Sequence, residues 1–238
     1  MNIALLGYGK MGQEIEKTAI ERGHIIPLII DINNRDHITR ENLLKADVAI
    51  DFSTPDSAVY NILACFDAGI PIVCGTTGWN KDLETISKKC KESNQALFHS
   101  SNFSVGVNIL FAVNEYLAEI MNRFSQYDVT IEETHHTQKL DAPSGTAISI
   151  AEQIISRLDR KNGWGLDSKN ISENISVFAK REGDVKGIHE IVYNSDVDFI
   201  SLKHHTKSRK GLALGAVLAA EFTRNKKGVF TMRELLEL

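Results

Sequence analysis

Asn2-Ile3-Ala4-Leu5-Leu6-Gly7-Tyr8-Gly9-Lys10-Met11-Gly12 is the stretch whose reading decides the fold. Asn2–Leu6 is a continuous apolar run of strand length, and from Met11 to about Arg22 the apolar residues recur at helical spacing. Between strand and helix sits Gly7-x-Gly9-x-x-Gly12. Glycines so placed let the backbone turn tightly and approach a pyrophosphate, which the free N–H groups of a helix N-terminus stabilise. The next apolar run, Ile25–Ile30, ends at Asp31, 19 residues after Gly12. A carboxylate at that point accepts hydrogen bonds from an adenosine ribose. The hexapeptide alone equally suits a glycine-rich turn of another α/β protein, with Asp31 merely solvated. Strand before, helix after and acid beyond together favour a bound dinucleotide.

The rhythm continues outward from this motif. Asp47–Phe52 is a third apolar run, followed by a helix over Asp56–Ala68 that Gly69 ends. A strand at Ile70–Cys74, a helix at Asn80–Ser93 and a short strand at Ala96–His99 follow. Strands separated by helices at this spacing predict right-handed crossovers and a parallel, Rossmann-type sheet. After Asn102 the pattern changes. A long amphipathic helix is expected over Gly106–Phe124, then a strand at Tyr127–Glu133 and a helix opening near Gly145. Residues 159–174 read as a polar loop. Strands at Ile175–Arg181, Ile188–Tyr193 and Val197–Lys203 make this part α+β, with Asn194-Ser195-Asp196 as a hairpin turn. A helix at Leu212–Phe222 and the tail Gly228–Leu238 look like a return to the first part. The expected division is 1–103 with 213–238 as the dinucleotide-binding domain, and 104–212 as an inserted α+β domain for substrate and oligomerisation.

Composition narrows the function. The formal net charge is −4 and the pI about 6.1, so no strongly basic domain is available for nucleic acid. Leu212–Ala220, an apolar run near the C-terminus, is too short to span a bilayer, so no membrane partner is expected. The N-terminus lacks a basic n-region. Cys65, Cys74 and Cys90 form no CxxC and read as buried small hydrophobes in a reducing, cytoplasmic setting.

Two further clusters stand after strands. Gly75-Thr76-Thr77-Gly78 and Ser100-Ser101-Asn102-Phe103 lie where loops line the ligand crevice of an open sheet, although such residues are also ordinary turn formers. The denser cluster is Glu132-Glu133-Thr134-His135-His136-Thr137-Gln138-Lys139-Leu140-Asp141-Ala142-Pro143-Ser144-Gly145-Thr146-Ala147. His135 is a candidate proton donor, because imidazole titrates near neutral pH. Lys139 adds a cation and could also donate a proton. Free N–H groups at Gly145 and Thr146 would form an anion cradle at a helix N-terminus. One segment thus offers an acid, a cation and a carboxylate site. A metal held by His135 and His136 is discounted: no Cys and no third His stand nearby, and adjacent residues of a strand point to opposite faces. The bland alternative is a capped helix preceded by surface histidines.

Glu133-Thr134-His135-His136-x-x-Lys139-x-Asp141-Ala142-Pro143-Ser144-Gly145-Thr146-Ala147 resembles the signature of the 4-hydroxy-tetrahydrodipicolinate (dihydrodipicolinate) reductases of bacterial lysine and diaminopimelate synthesis. Asp51-Phe52-Ser53, Gly75-Thr76-Thr77, Asn102–Asn108, Arg181-x-Gly183, Gly187-x-His189 and Ser208-Arg209 agree in order, so the likeness runs through essentially the whole chain. The resemblance implies an NAD(P)H-dependent reduction of a small cyclic dicarboxylate with loss of water, by a homotetramer. It makes His135 and Lys139 the proton donors and gives His136, Gly145 and Thr146 the substrate carboxylates. It assigns Gly7, Tyr8, Gly9, Lys10, Met11, Gly12, Asp31, Gly75, Thr76, Thr77, Ser100, Ser101, Asn102 and Phe103 to NADH or NADPH, and it implies no metal. The chain departs from the family with a shorter glycine loop and with Ile32 where arginine is common, which bears on coenzyme choice. A nucleotide sensor or scaffold without catalysis, or a reductase of another amino-acid-derived imine, are the alternative readings.

Overall fold

The computed structural model describes residues 1–167 and 173–238. In chain order the elements are β1 (Asn2–Leu6), α1 (Lys10–Glu21), β2 (Ile25–Ile30), α2 (Arg40–Leu43), β3 (Val48–Asp51), α3 (Pro55–Ala68), β4 (Ile72–Cys74), α4 (Leu83–Glu92), β5 (Ala96–His99) and α5 (Val105–Met121). Then come β6 (Asp128–His135), α6 (Gly145–Ile155), β7 (Gly163–Leu166), β8 (Asn174–Arg181), β9 (Ile188–Asn194), β10 (Phe199–His205), α7 (Lys210–Thr223), β11 (Gly228–Phe230) and α8 (Met232–Leu236). Two compact units result: Met1–Asn108 with Arg209–Leu238, and Ile109–Ser208.

The first unit is a parallel sheet of order β11-β5-β4-β3-β1-β2. Its strands are nearly continuous apolar runs because both faces are covered. Ala4, Leu6, Ala49, Ile72 and Leu97 pack on one side with Ile62 and Cys65 of α3 and Ile86 of α4. Ile3, Leu5, Ile50, Val73 and Phe98 pack on the other with Ile15 of α1, Ala216 and Val217 of α7 and Met232 of α8. The small side chains of α7 let it lie close to the layer beneath. A Cβ on Gly215 would stand 1.7 Å from Phe103 O, so only glycine allows this crossing. The chain runs from β1 to β2 on one side and to β3 on the other. The strand order therefore reverses between β1 and β3, where open α/β sheets hold their ligands.

The second unit is a mixed sheet of order β10-β9-β6-β8-β7, with β6 antiparallel to β9 and parallel to β8. Alternation decides its faces. Val129, Ile131, Ile175, Val177, Ile191 and Tyr193 are buried with Leu110 and Ala118 of α5 and Ile150 and Ile154 of α6. On the opposite face, Glu132 pairs with Lys180 at 2.6 Å and Glu190 with Lys203 at 2.8 Å. Two expectations are corrected here. Part of the polar stretch 159–174 is strand β7, whose backbone pairs with β8 from Gly163 to Leu166; residues 168–172 of that stretch lie outside the described residues. Periodicity missed β7 because its glycines and tryptophan do not alternate. The last strand begins at Phe199, not Val197: Ser195 N–H donates to Asp198 O, making 195–198 the turn and leaving Val197 87% exposed.

Candidate active site

In the first unit, the glycine motif lies at the switch point. Gly7 follows β1 with φ 98°, and its N–H donates to Ile30 O at 2.8 Å. A Cβ on Gly7 would stand 2.2 Å from Phe52 O, and one on Gly12 2.3 Å from Gly7 O, so both glycines are required by the loop's own packing. Gly9 is different. It N-caps α1 without a side-chain cap, and nothing lies within 4 Å of where its Cβ would be. The N–H groups of the first helical turn therefore border open space that a phosphate can fill. Gly7, Tyr8, Gly9, Asp31, Arg35, Phe52, Ser53 and Asn61 are among the residues lining a cleft of about 430 Å3 at this place. These residues fit a dinucleotide: a helix N-terminus for pyrophosphate and a carboxylate for ribose, with a guanidinium on the same wall. Asp31 Oδ1 accepts the Asn33 N–H at 2.7 Å, which fixes the carboxylate in its own turn.

The other residues assigned to the nucleotide fall into two groups. Lys10 and Thr77 are exposed, as is Ser101, whereas Met11 is half-buried. Thr76 is buried: its hydroxyl donates to Asp51 Oδ2 at 2.7 Å and accepts the Ser53 N–H at 2.8 Å. Gly75 is required by Phe52, whose ring would lie 2.2 Å from its Cβ. Ser100 and Asn102 bond within their own loop, and Phe103 is buried against Phe52 and Phe98. Thr76 and Phe103 thus shape the strand ends from within. Asp51 itself is fully buried, and burial pushes its pKa up against the pull of donors from Thr76, Asn61, Ser53 and Cys74.

In the second unit, the inward face of β6 ends in Glu133 and His135, both buried. Glu133 accepts the Ser144 N–H on both oxygens at 3.1 Å, and Arg181 Nη2 approaches Oε1 at 3.3 Å. His135 Nδ1 stands 3.5 Å from Glu133 Oε2, too long and poorly aligned for a hydrogen bond, so this buried nitrogen has no such partner. His189 packs edge-on against the His135 ring, with centroids 5.1 Å apart, and its Nε2 bonds Ser144 Oγ at 3.1 Å. Burial lowers the His135 pKa, Glu133 opposes this, and Lys139 and Arg181 add to it. Burial, with the neighbouring His135, His204 and Lys139, takes His189 down to about 3, so that ring is neutral.

Ser144 N-caps α6 and accepts the Ala147 N–H on its side chain. The N–H groups of Gly145 and Thr146 have no intrahelical acceptor. Lys139 Nζ is held by Asp141 at 2.7 Å, and Arg181 clamps the same loop by donating to Lys139 O at 3.3 Å and Asp141 O at 2.6 Å. The Asp141 carboxyl is held below its usual range, chiefly by the Lys139 hydrogen bond. His136 lies just past the strand, half-buried. Cation and helix N-terminus are therefore tied to one hydrogen-bonded network through Arg181 and Glu133, and the His135 ring stands beside it.

The family models for dihydrodipicolinate reductase match this chain in both parts, the N-terminal one over residues 1–103 and the C-terminal one over 106–236. The chain belongs to the dihydrodipicolinate reductase family. It is 48% identical over 236 residues to the 4-hydroxy-tetrahydrodipicolinate reductase of Christiangramia forsetii, covering 99% of this chain and 98% of that protein. The corresponding enzyme of Archaeoglobus fulgidus is 34% identical over the full length of both. Dihydrodipicolinate reductase from Paenisporosarcina sp. TG-14, solved with dipicolinate, shares the fold with a TM-score of 0.80 and 22% identity, over 97% of each chain.

In this member of the dihydrodipicolinate reductase family, the geometry also brings in residues that the reading of chemistry-bearing side chains passed over. Asn61 in the cleft, and Glu133, Ser144, Arg181 and His189 in the second unit, were not among the expected site residues. For Glu133 a signal existed: it shares the buried parity of Val129 and Ile131, where an acid is costly without partners.

Proposed function

We infer that this protein catalyses the NAD(P)H-dependent reduction of 4-hydroxy-tetrahydrodipicolinate to tetrahydrodipicolinate, with loss of water, in lysine and diaminopimelate synthesis. The observation that carries the reading is His135, a buried imidazole beside a lysine and the N-terminus of α6, in a chain of this family. A reduced nicotinamide dinucleotide supplies a hydride when bound. The first unit is its binding domain: the first turn of α1 receives pyrophosphate and Asp31 the ribose. In the second unit, Gly145 and Thr146 N–H groups and His136 hold the substrate carboxylates, orienting the ring. Reduction of the conjugated C=C–C=N system leaves an electron pair that must be protonated, and His135 or Lys139 provides that proton. The imidazole is largely neutral at rest, and two incoming carboxylates raise its proton affinity at the moment it is needed.

The test generates the substrate from pyruvate and aspartate semialdehyde with the upstream synthase, then follows nicotinamide absorbance. Both coenzymes should be oxidised, NADH as well as NADPH or better, because Asp31 favours the 2′-hydroxyl while Arg35 can pair with a 2′-phosphate. Arg35→Ala should lower kcat/KM for NADPH roughly tenfold and leave NADH nearly unchanged. No oxidation above the enzyme-free control would instead favour a nucleotide sensor.

The second unit is also the tetramerisation domain on this reading. Among the described residues, the helices α5 and α6 of this unit pack on the inward face of its sheet, and on the outward face β10 begins with Phe199, 66% exposed. Sedimentation equilibrium should give four times the 26.5 kDa chain mass, and a monomer mass would refute it. No helix among the described residues is long and apolar enough to cross a membrane. The cytoplasm is the compartment proposed, supported by three free, buried cysteines.

A further inference from the structure

Glu133 has a role that the reaction as described does not use. It is fully buried, yet four partners converge on it from different elements: the Ser144 N–H that opens α6, Arg181 of β8, His135 of its own strand and His189 of β9. Glu133, His135 and His189 could form a cation site, since one ligating atom from each lies within 4.8 Å of the others. That site already holds a positive charge, because Arg181 and the Ser144 N–H occupy the carboxylate. The geometry fits a different task.

We propose that Glu133 is a positioning residue, which fixes the His135 ring with Nδ1 protonated toward Oε2 and couples it to the carboxylate cradle through Ser144. Nε2 is then the atom that exchanges the proton. The proposal rests on the reading of His135 as the proton donor. Two observations support the orientation. The buried Nδ1 has no hydrogen-bond partner and stands 3.5 Å from Oε2, a contact that can tighten as substrate binds. Nε2 instead faces Gly187, where a Cβ would lie 3.1 Å away, so a residue without a side chain keeps that edge of the ring clear. The same carboxylate holds the N-cap of α6. A shift of the acid and a shift of the anion cradle are therefore one motion, which suits a reaction needing both groups in register with one ring.

The charged and titratable groups around His135 are Glu133, the loop pair Lys139 and Asp141, Arg181 from β8, His189 from β9 and, beyond it, His204 from β10. Of the two carboxylates that favour the protonated imidazole, Glu133 acts more strongly than Asp141. Removing its charge leaves Lys139 and Arg181 to oppose protonation. The acid is active when protonated, so activity falls as pH rises through its pKa, and a lower pKa moves that fall to lower pH.

The experiment compares pH profiles of kcat/KM for wild type, Glu133→Gln, Glu133→Asp and His135→Ala. Glu133→Gln should move the alkaline limb down by about one pH unit or more, making it roughly tenfold or more slower above the limb. Glu133→Asp, which keeps the charge, should bring the limb back toward wild type. An equal loss at all pH values in Glu133→Gln, with the limb unmoved, would reduce Glu133 to a structural role and overturn the proposal. A wild-type limb retained in His135→Ala would show instead that His135 is not the acid, a failure of the underlying reading. An independent measurement needs no variant. Nitrogen-15 NMR of the wild-type protein at high pH should find the neutral His135 ring protonated on Nδ1; protonation on Nε2 would overturn the proposal.

Discussion

His135→Ala is expected to lower turnover by roughly 10²–10⁴-fold at neutral pH, the range typical of lost general-acid catalysis. His135 ends an inward-facing strand, and its ring is buried beside His189, so the substitution removes the proton source while β6 and its pairing with β8 and β9 persist. Lys139→Ala should lose activity in the same range, although by another route. Lys139 is held by Asp141, and deleting the amine leaves that carboxylate facing an incoming dianion. Its KM should therefore rise along with the fall in kcat, whereas His135→Ala should act mainly on kcat. Coenzyme affinity, read by nicotinamide fluorescence, should be nearly unchanged in both, because neither residue belongs to the nucleotide-binding unit. Turnover within a few-fold of wild type in both variants would put the acid elsewhere.

Glycine substitutions in the first unit should separate stability from coenzyme binding. Gly215→Ala forces a methyl to 1.7 Å from Phe103 O, against backbone that cannot rotate away, so α7 must shift off the sheet. Overpacking of this kind costs about 1–3 kcal/mol or more, a fall of roughly 6–12 °C in the unfolding midpoint at the upper end. Gly9→Ala meets nothing within 4 Å and has φ −76°, a conformation open to any residue, so it should cost less than about 1 kcal/mol. It should nonetheless weaken NADH binding, because the methyl occupies space over the first turn of α1. Urea unfolding and coenzyme titration on the same two proteins check the contrast. A Gly9→Ala protein that binds NADH as wild type does would remove the pyrophosphate from this loop.

How far the sequence could be read followed from what each residue answers to. The parallel sheet was legible because strands covered on both faces must be apolar throughout, as Ile3–Leu6 and Val48–Ile50 are. The return of the C-terminal helix to this sheet was visible as a possibility, but only its contacts with Ile15 and Phe98 establish it. β7 escaped detection because its glycines carry no pattern, and its existence depends on pairing with β8. In the site, His135, Lys139 and the Ser144-Gly145-Thr146 turn stood out because local sequence sets them side by side. Arg181 and His189 are far from them in sequence and join them only through strand register: Arg181 lies opposite His135, and His189 opposite Glu133. Arg35, the first base after Asp31, reaches the cleft wall through the turn that follows that carboxylate.

The return of α7, β11 and α8 to the first sheet has a consequence for synthesis on the ribosome. Residues 209–238 supply the helix that covers Ile3, Leu5, Ile50 and Val73 and the strand that pairs with β5. While these residues are still in the ribosomal exit tunnel, the earlier strands have emerged with one apolar face bare and a pairing edge open. The inserted second unit emerges whole before that happens. The N-terminal part of the chain must therefore wait, exposed, for residues 209–238 to be made, and during that interval its bare apolar face and open strand edge are exposed to aggregation.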